Sequence, residues 1–142
     1  MKEIYKALIK AQSEFPAMIK NADAHNYAYL DLASLIEKVN PVLEKNGLGF
    51  TQLLGNGEEN GNPAVKTIVF HAESGETIES VLSAPAVKLR GCNDIQGSGA
   101  TYSYLRRYAL QAILGLASED NDASDDPKVG KSKVTNDTEE IF

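Results

Sequence analysis

With 142 residues the chain has room for one domain, which at that length buries roughly two thirds of the surface its unfolded form exposes and needs no disulfide or metal staple. The one cysteine, Cys92, excludes an internal disulfide, and no apolar run reaches the length of a signal h-region or a membrane span, which predicts a soluble, cytoplasmic protein without a membrane partner. The net charge of −6 is concentrated at one end: residues 117–142 carry 3 Lys+Arg against 8 Asp+Glu, whereas residues 1–116 carry 11 against 12.

From Lys2 to Ile19 the apolar residues Ile4, Leu8, Ala11, Phe15, Met18 and Ile19 recur at spacings of three and four. They describe one face of a helix that Pro16 is expected to kink or break. A second helical pattern begins near Tyr29 and runs through Leu32, Leu35, Ile36, Val39 and Leu43, where Pro41 predicts a bend or break and Asn46-Gly47 a C-terminal stop. Three β-rich segments follow, 48–54, 64–71 and 77–84, separated by polar, glycine-bearing links. Consecutive strands with such links read as an antiparallel meander, and Pro85 ends ladder pairing after the third.

Helical spacing returns from Asp94 to Leu116, with Leu105, Ala109, Ile113 and Leu116 on one stripe. The predicted order α-α-β-β-β-α is an α+β domain over residues 1–116. In it a three-stranded antiparallel meander packs against a long C-terminal helix and is preceded by two helices. The remainder, 117–142, has almost no apolar residue before its last two. It cannot repay the entropy of ordering itself, so a disordered acidic tail is expected.

Within the last helix, Arg106 and Arg107 stand among Tyr102, Tyr104 and Tyr108. At about 100° per residue, Tyr104 and Tyr108 share one face, Ser103 and Arg107 the next, and Tyr102 and Arg106 a third. Arginine suits phosphate because its planar fork donates in pairs, and a tyrosine ring can stack on a base. The plainer alternative has the tyrosines facing core or sheet and the arginines in ion pairs of the fold; spacing alone leaves both open. Gly97 and Gly99 allow close approach of a phosphate, or are simply turn residues. No Gly-Lys-Ser/Thr follows them, so ATP is not implied. His25, His71 and Cys92 are isolated, and no carboxylate cluster has metal-binding spacing. Neither a catalytic site, a metal nor any other cofactor is expected.

The run Gln96, Ser103-Tyr104-Leu105-Arg106-Arg107-Tyr108-Ala109-Leu110, Gly115-Leu116 and Glu119-Asp120-Asn121-Asp122 resembles the signature helix of the Erf family of phage recombination proteins. The likeness extends upstream through Asn26-Tyr27-Ala28-Tyr29-Leu30-Asp31, Val39-Asn40-Pro41-Val42-Leu43, Asn46-Gly47-Leu48 and Ser74-Gly75-Glu76, and so covers nearly all of residues 1–116. Gly99-Ala100 stands where the family usually shows Gly-Ser.

The resemblance implies a non-enzymatic, ATP-independent single-strand annealing protein of phage or prophage recombination and DNA repair, distantly similar to the ring-forming annealers of the Rad fifty-two type. Its partners would be single-stranded DNA and further copies of itself, in a ring or helical filament, with sheet and long helix forming a basic groove. On that reading Arg106 and Arg107 hold phosphates, and Lys66, Lys88 and Arg90 extend the track. Tyr102 or Tyr104 stacks on bases or braces the helix, and Gln96 belongs to the same DNA-contacting signature. The C-terminal Glu139-Glu140-Ile141-Phe142 resembles the acidic tips of bacterial single-strand-binding proteins without their usual proline, which implies host single-strand-binding or repair proteins as partners. The alternative from another class is a noncatalytic adaptor or inhibitor that engages DNA-processing partners through its acidic tail.

Overall fold

The clearest alternation in the chain sets the sheet. In the computed structural model, which describes residues 2–24, 27–88, 91 and 93–117, the elements are α1 (Lys2–Glu14), β1 (Ala22–Ala24), β2 (Tyr27–Tyr29), α2 (Leu32–Lys45), β3 (Leu48–Asn56), β4 (Pro63–His71), β5 (Thr77–Ser83) and α3 (Asp94–Leu114). Along β4, Pro63, Val65, Thr67 and Val69 are buried and the residues between them only half-buried, the two-residue period of a strand with one face on the core. It is the central strand of the antiparallel sheet β3-β4-β5, where Thr67 stands opposite Gln52 on one side and Ser80 on the other.

Helix α3 lies along β4 and β5, α2 touches β3 and α3, and α1 touches α2, β3 and β4. Their shared core is Ile4, Ala11, Leu35, Val39, Leu43, Leu48, Val65, Val69, Leu105, Ala109, Leu110 and Leu114, each at most 6% exposed. This is the expected α+β arrangement, a meander against a long C-terminal helix with two helices before it.

These elements belong to one compact unit, the described part of Met1–Pro16 and Leu32–Ala117, whereas Ala17–Asp31 belongs to a second. In the second, β1 and β2 form a small antiparallel hairpin with Ala22 opposite Tyr29. Asn21 closes its open end. The Asn21 backbone N–H donates to the Tyr29 carbonyl at 2.9 Å, and its side chain accepts from the Asp31 N–H at 3.0 Å and donates to Asp31 Oδ2 at 3.2 Å. The helical pattern anticipated from Tyr29 therefore starts three residues later, at Leu32.

Two prolines act differently. Helix α1 stops at Glu14, because the residue before Pro16 is forced out of the helical region. Pro41, expected to bend or break its helix, sits inside a continuous α2; Leu35, Val39 and Leu43, all buried, hold the helix together on both sides of the lost hydrogen bond. At the end of α1, Glu14 accepts from Lys45 Nζ and Asn46 Nδ2, each at 2.7 Å. The Lys45 bond first, and then the Asn46 bond, holds its carboxyl below the usual carboxylate range. The anticipated disordered tail, apart from Ala117, lies outside the described residues, as do His25, Arg90 and Cys92.

Helix α3 is closed at both ends. Asn93 and Gln96 form a capping box, and Gly115 ends the helix in the left-handed region at φ 73°. Gly97 is neither a turn nor open to a ligand: it lies buried within the helix, and a Cβ there would come 2.5 Å from the Val87 carbonyl oxygen. Thr101 Oγ1 completes the contact, donating to the Gly97 carbonyl and accepting from the Val87 N–H, both at 2.9 Å. Two residues on, a Cβ at Gly99 would meet nothing within 4 Å. The same substitution should thus have opposite signs at the two sites. Gly99→Ala should stabilise by about 0.5–1 kcal/mol through helix propensity, whereas Gly97→Ala should destabilise by about 1–3 kcal/mol through overpacking against backbone. Denaturant unfolding of the two variants checks both.

Candidate nucleic-acid interface

Arg106 and Tyr104 are two residues apart and therefore lie about 200° apart around α3, on opposite sides of the helix. The side carrying Arg106 faces β3. Arg106 Nε donates to Gln52 Oε1 at 3.0 Å, and the Gln52 amide nitrogen donates both to the Arg106 carbonyl at 3.1 Å and to Thr67 Oγ1 at 3.0 Å. One turn earlier, the Tyr102 hydroxyl donates to the Gly55 carbonyl at 2.8 Å. Tyr102 thus braces the helix against the end of β3.

The other side carries a compact aromatic and cationic group. Tyr104 and Tyr108 have ring centroids 4.5 Å apart and planes tilted by 47°. The Arg107 guanidinium carbon lies 5.8 Å from the first centroid and 5.1 Å from the second, within the range in which a cation is attracted to a ring. Arg107 is 9% exposed, whereas Tyr104 and Tyr108 remain 47% and 36% exposed. The two arginines, treated alike in the sequence, have separate surroundings.

The remaining expected contacts are dispersed. Gln96 accepts from the Asn93 N–H at 2.9 Å as part of the helix cap. Lys88 is exposed and follows Val87, which is hydrogen-bonded to Thr101, so it lies beside the N-terminal half of α3. Lys66 does not join the arginines: it alternates with the helix-facing Val65 and Thr67 and so occupies the far face of the sheet, 3.5 Å from Glu79. Arg90 lies outside the described residues. Tyr108 was legible as a face-mate of Tyr104 although its role was not assigned; Gln52 carried no signal, because only the strand register puts it under Arg106.

Charge favours α3. Its sequence holds both arginines and no acidic residue after Asp94. By contrast, a cavity of about 490 Å³ between α1 and the turns at Asn46 and Ala72 is lined by Lys6, Lys10 and Lys45 together with Glu3 and Glu73, and Lys45 is also paired with Glu14, so its charges balance. Among the described residues no group of three His, Cys, Asp or Glu side chains can hold a metal ion, and no helix is long and apolar enough to cross a membrane.

The ERF superfamily model matches residues 4–140, nearly the whole chain. The chain belongs to the ERF superfamily. No curated protein and no solved structure gives a match beside it. Membership supports a role in phage recombination by strand annealing, a non-catalytic activity, as the signature helix implied. In this ERF protein the signature is largely a packing device: Gln96 caps, Gly97 and Thr101 seat the preceding segment, and Tyr102 and Arg106 tie the helix to β3.

Removing the central tie should be costly. Gln52→Ala leaves Thr67 Oγ1 and the Arg106 carbonyl short of a donor and should cost about 1–3 kcal/mol, whereas Tyr102→Phe should cost about 0.5–1.5 kcal/mol. Thermal unfolding at matched concentration measures both.

Proposed function

We propose that this ERF protein binds single-stranded DNA and anneals complementary strands without ATP, acting as an oligomer with α3 as its DNA-contacting element. The observation that carries the reading is the distribution of charge. In a chain with 20 acidic residues, α3 has two arginines and a single acid at its first position. A polyanion meets no carboxylate along the rest of that helix.

Arg106 supplies the phosphate contact. A guanidinium has five N–H donors, and Gln52 takes one of them, which orients the fork and leaves donors for phosphate oxygens. Lys88 and Arg90, just before α3 in the chain, and Gln96 in its first turn lengthen the contact. Lys66, paired with Glu79 on the far face, is left out of it. An annealer must hold the backbone while leaving base edges able to pair, and contacts of this kind do so.

Residues 1–116 carry a net charge of only −1, so one subunit binds weakly. Affinity comes from many subunits along one strand, each contact multiplying the next. The absence of any phosphate-binding loop in the sequence supports independence from ATP. The acidic tail competes with phosphates for the arginines, and its Glu139-Glu140-Ile141-Phe142 end recruits a host single-strand-binding or repair protein.

Two measurements test this. Arg106→Gln should weaken binding of an oligonucleotide and lower the slope of log affinity against log salt by about 0.7 per bound subunit; an unchanged slope would remove Arg106 from the contact. Neutralising the eight tail acids of residues 117–142 as Asn and Gln should tighten binding at low salt and leave it unchanged at high salt. No DNA binding by the wild-type protein, with a partner still recruited through the acidic tail, would favour the adaptor reading instead.

A further inference from the structure

The Tyr104–Tyr108 pair is the largest exposed aromatic surface on α3. Tyr104 is 47% and Tyr108 36% exposed. Along the same stripe, one turn before and one turn after, stand Ala100 and Ala112, whose small side chains leave the rings standing clear. Arg107, 9% exposed, lies within 5.8 Å of both centroids and holds the rings from the protein side. A cation there draws π density inward and leaves the outer faces suited to another flat, electron-rich group.

We infer that Tyr104 and Tyr108 form a base-stacking platform for single-stranded nucleic acid, and that Arg107 is a positioning residue that fixes the two rings rather than a phosphate contact. The assignment rests on the single-strand reading above and divides the arginine pair. Arg106 holds backbone on the β3 side, and the platform holds bases on the opposite side of α3. Because the two lie about 200° apart, they engage different stretches of strand. Stacking by ring faces leaves Watson–Crick edges free, which annealing requires. The absence of acids along α3 after Asp94 favours a nucleic acid over a second protein copy, which would need no such clearing.

Stacking and phosphate contacts separate by experiment, since stacking needs a base and responds little to salt. The full-length protein is titrated with oligo(dT) and with an abasic oligonucleotide of the same length. The wild type should prefer the base-bearing strand. Tyr104→Leu/Tyr108→Leu should lose about tenfold of that preference, equivalent to about 1.4 kcal/mol, with its salt slope intact. Tyr104→Phe/Tyr108→Phe should keep the preference, and Arg107→Met should lose it while keeping the slope. Arg106→Gln should show the converse.

Equal wild-type binding of the two oligonucleotides, or an unaltered preference in the leucine variant, would overturn the platform alone. So would loss of oligomeric size by light scattering with both affinities falling together, which would make the patch a subunit contact. Binding of neither oligonucleotide would overturn the single-strand reading and the platform with it. Should a variant fail to fold, the wild-type protein crosslinked by light to a 5-iododeoxyuridine oligonucleotide should carry adducts on Tyr104 or Tyr108. Adducts only elsewhere would contradict the assignment.

Discussion

Gln52 stands on the edge strand β3 opposite Thr67, and its single amide satisfies three groups: Thr67 Oγ1, the Arg106 carbonyl and Arg106 Nε. A buried hydroxyl and a guanidinium at a helix–sheet junction are both costly without partners. Once they are joined through one amide, the rotation of α3 about its own axis is fixed. That rotation decides which residues of the helix face outward. With Arg106 and Tyr102 turned to β3, Tyr104 and Tyr108 must stand on the opposite side, and Arg107 is carried into their shoulder. The outward chemistry of the helix follows from its inward attachments.

The pair Gly97 and Thr101 does the same work at the other end. There the preceding segment runs so close that only glycine fits beneath the Val87 carbonyl, and Thr101 takes the Val87 N–H. The glycine-rich start of α3 thus reads as a packing surface. A loop of the phosphate-binding kind would keep its amides open, whereas the Gly97 N–H is bonded to the Asn93 carbonyl at 3.0 Å.

Much of this architecture was visible in the chain. The β-rich run 64–71, second of three joined by polar, glycine-bearing links, marked the middle strand of the meander, Asn46-Gly47 marked the end of α2, where Gly47 has φ 71°, and the stripe of Leu105 and Ala109 marked the buried side of α3. Strands of three residues are too short to show a period, so the hairpin at Ala22–Tyr29 carried no signal. Pro41 does not break its helix, because its helix-breaking cost is local, while the burial of Leu35, Val39 and Leu43 that offsets it is tertiary. The division between Arg106 and Arg107 was half legible. Spacing placed them on different faces, but which face meets the sheet depends on strand register, and register enters only when Gln52 comes to lie opposite Thr67.

The charge pattern ties these elements to function. A domain close to neutrality, with one helix cleared of acids after its first residue and a strongly acidic sequence after it, suits the proposed function, in which DNA must be released as readily as it is held. Strand annealing is the claim on which the rest depends. Two complementary oligonucleotides labelled as a fluorescence-transfer pair, mixed with the purified full-length protein in the absence of any nucleotide, measure it directly. Annealing many times faster than in a protein-free control, with the gain declining as salt rises, is the predicted result; a rate equal to the control across salt and magnesium concentrations would contradict it.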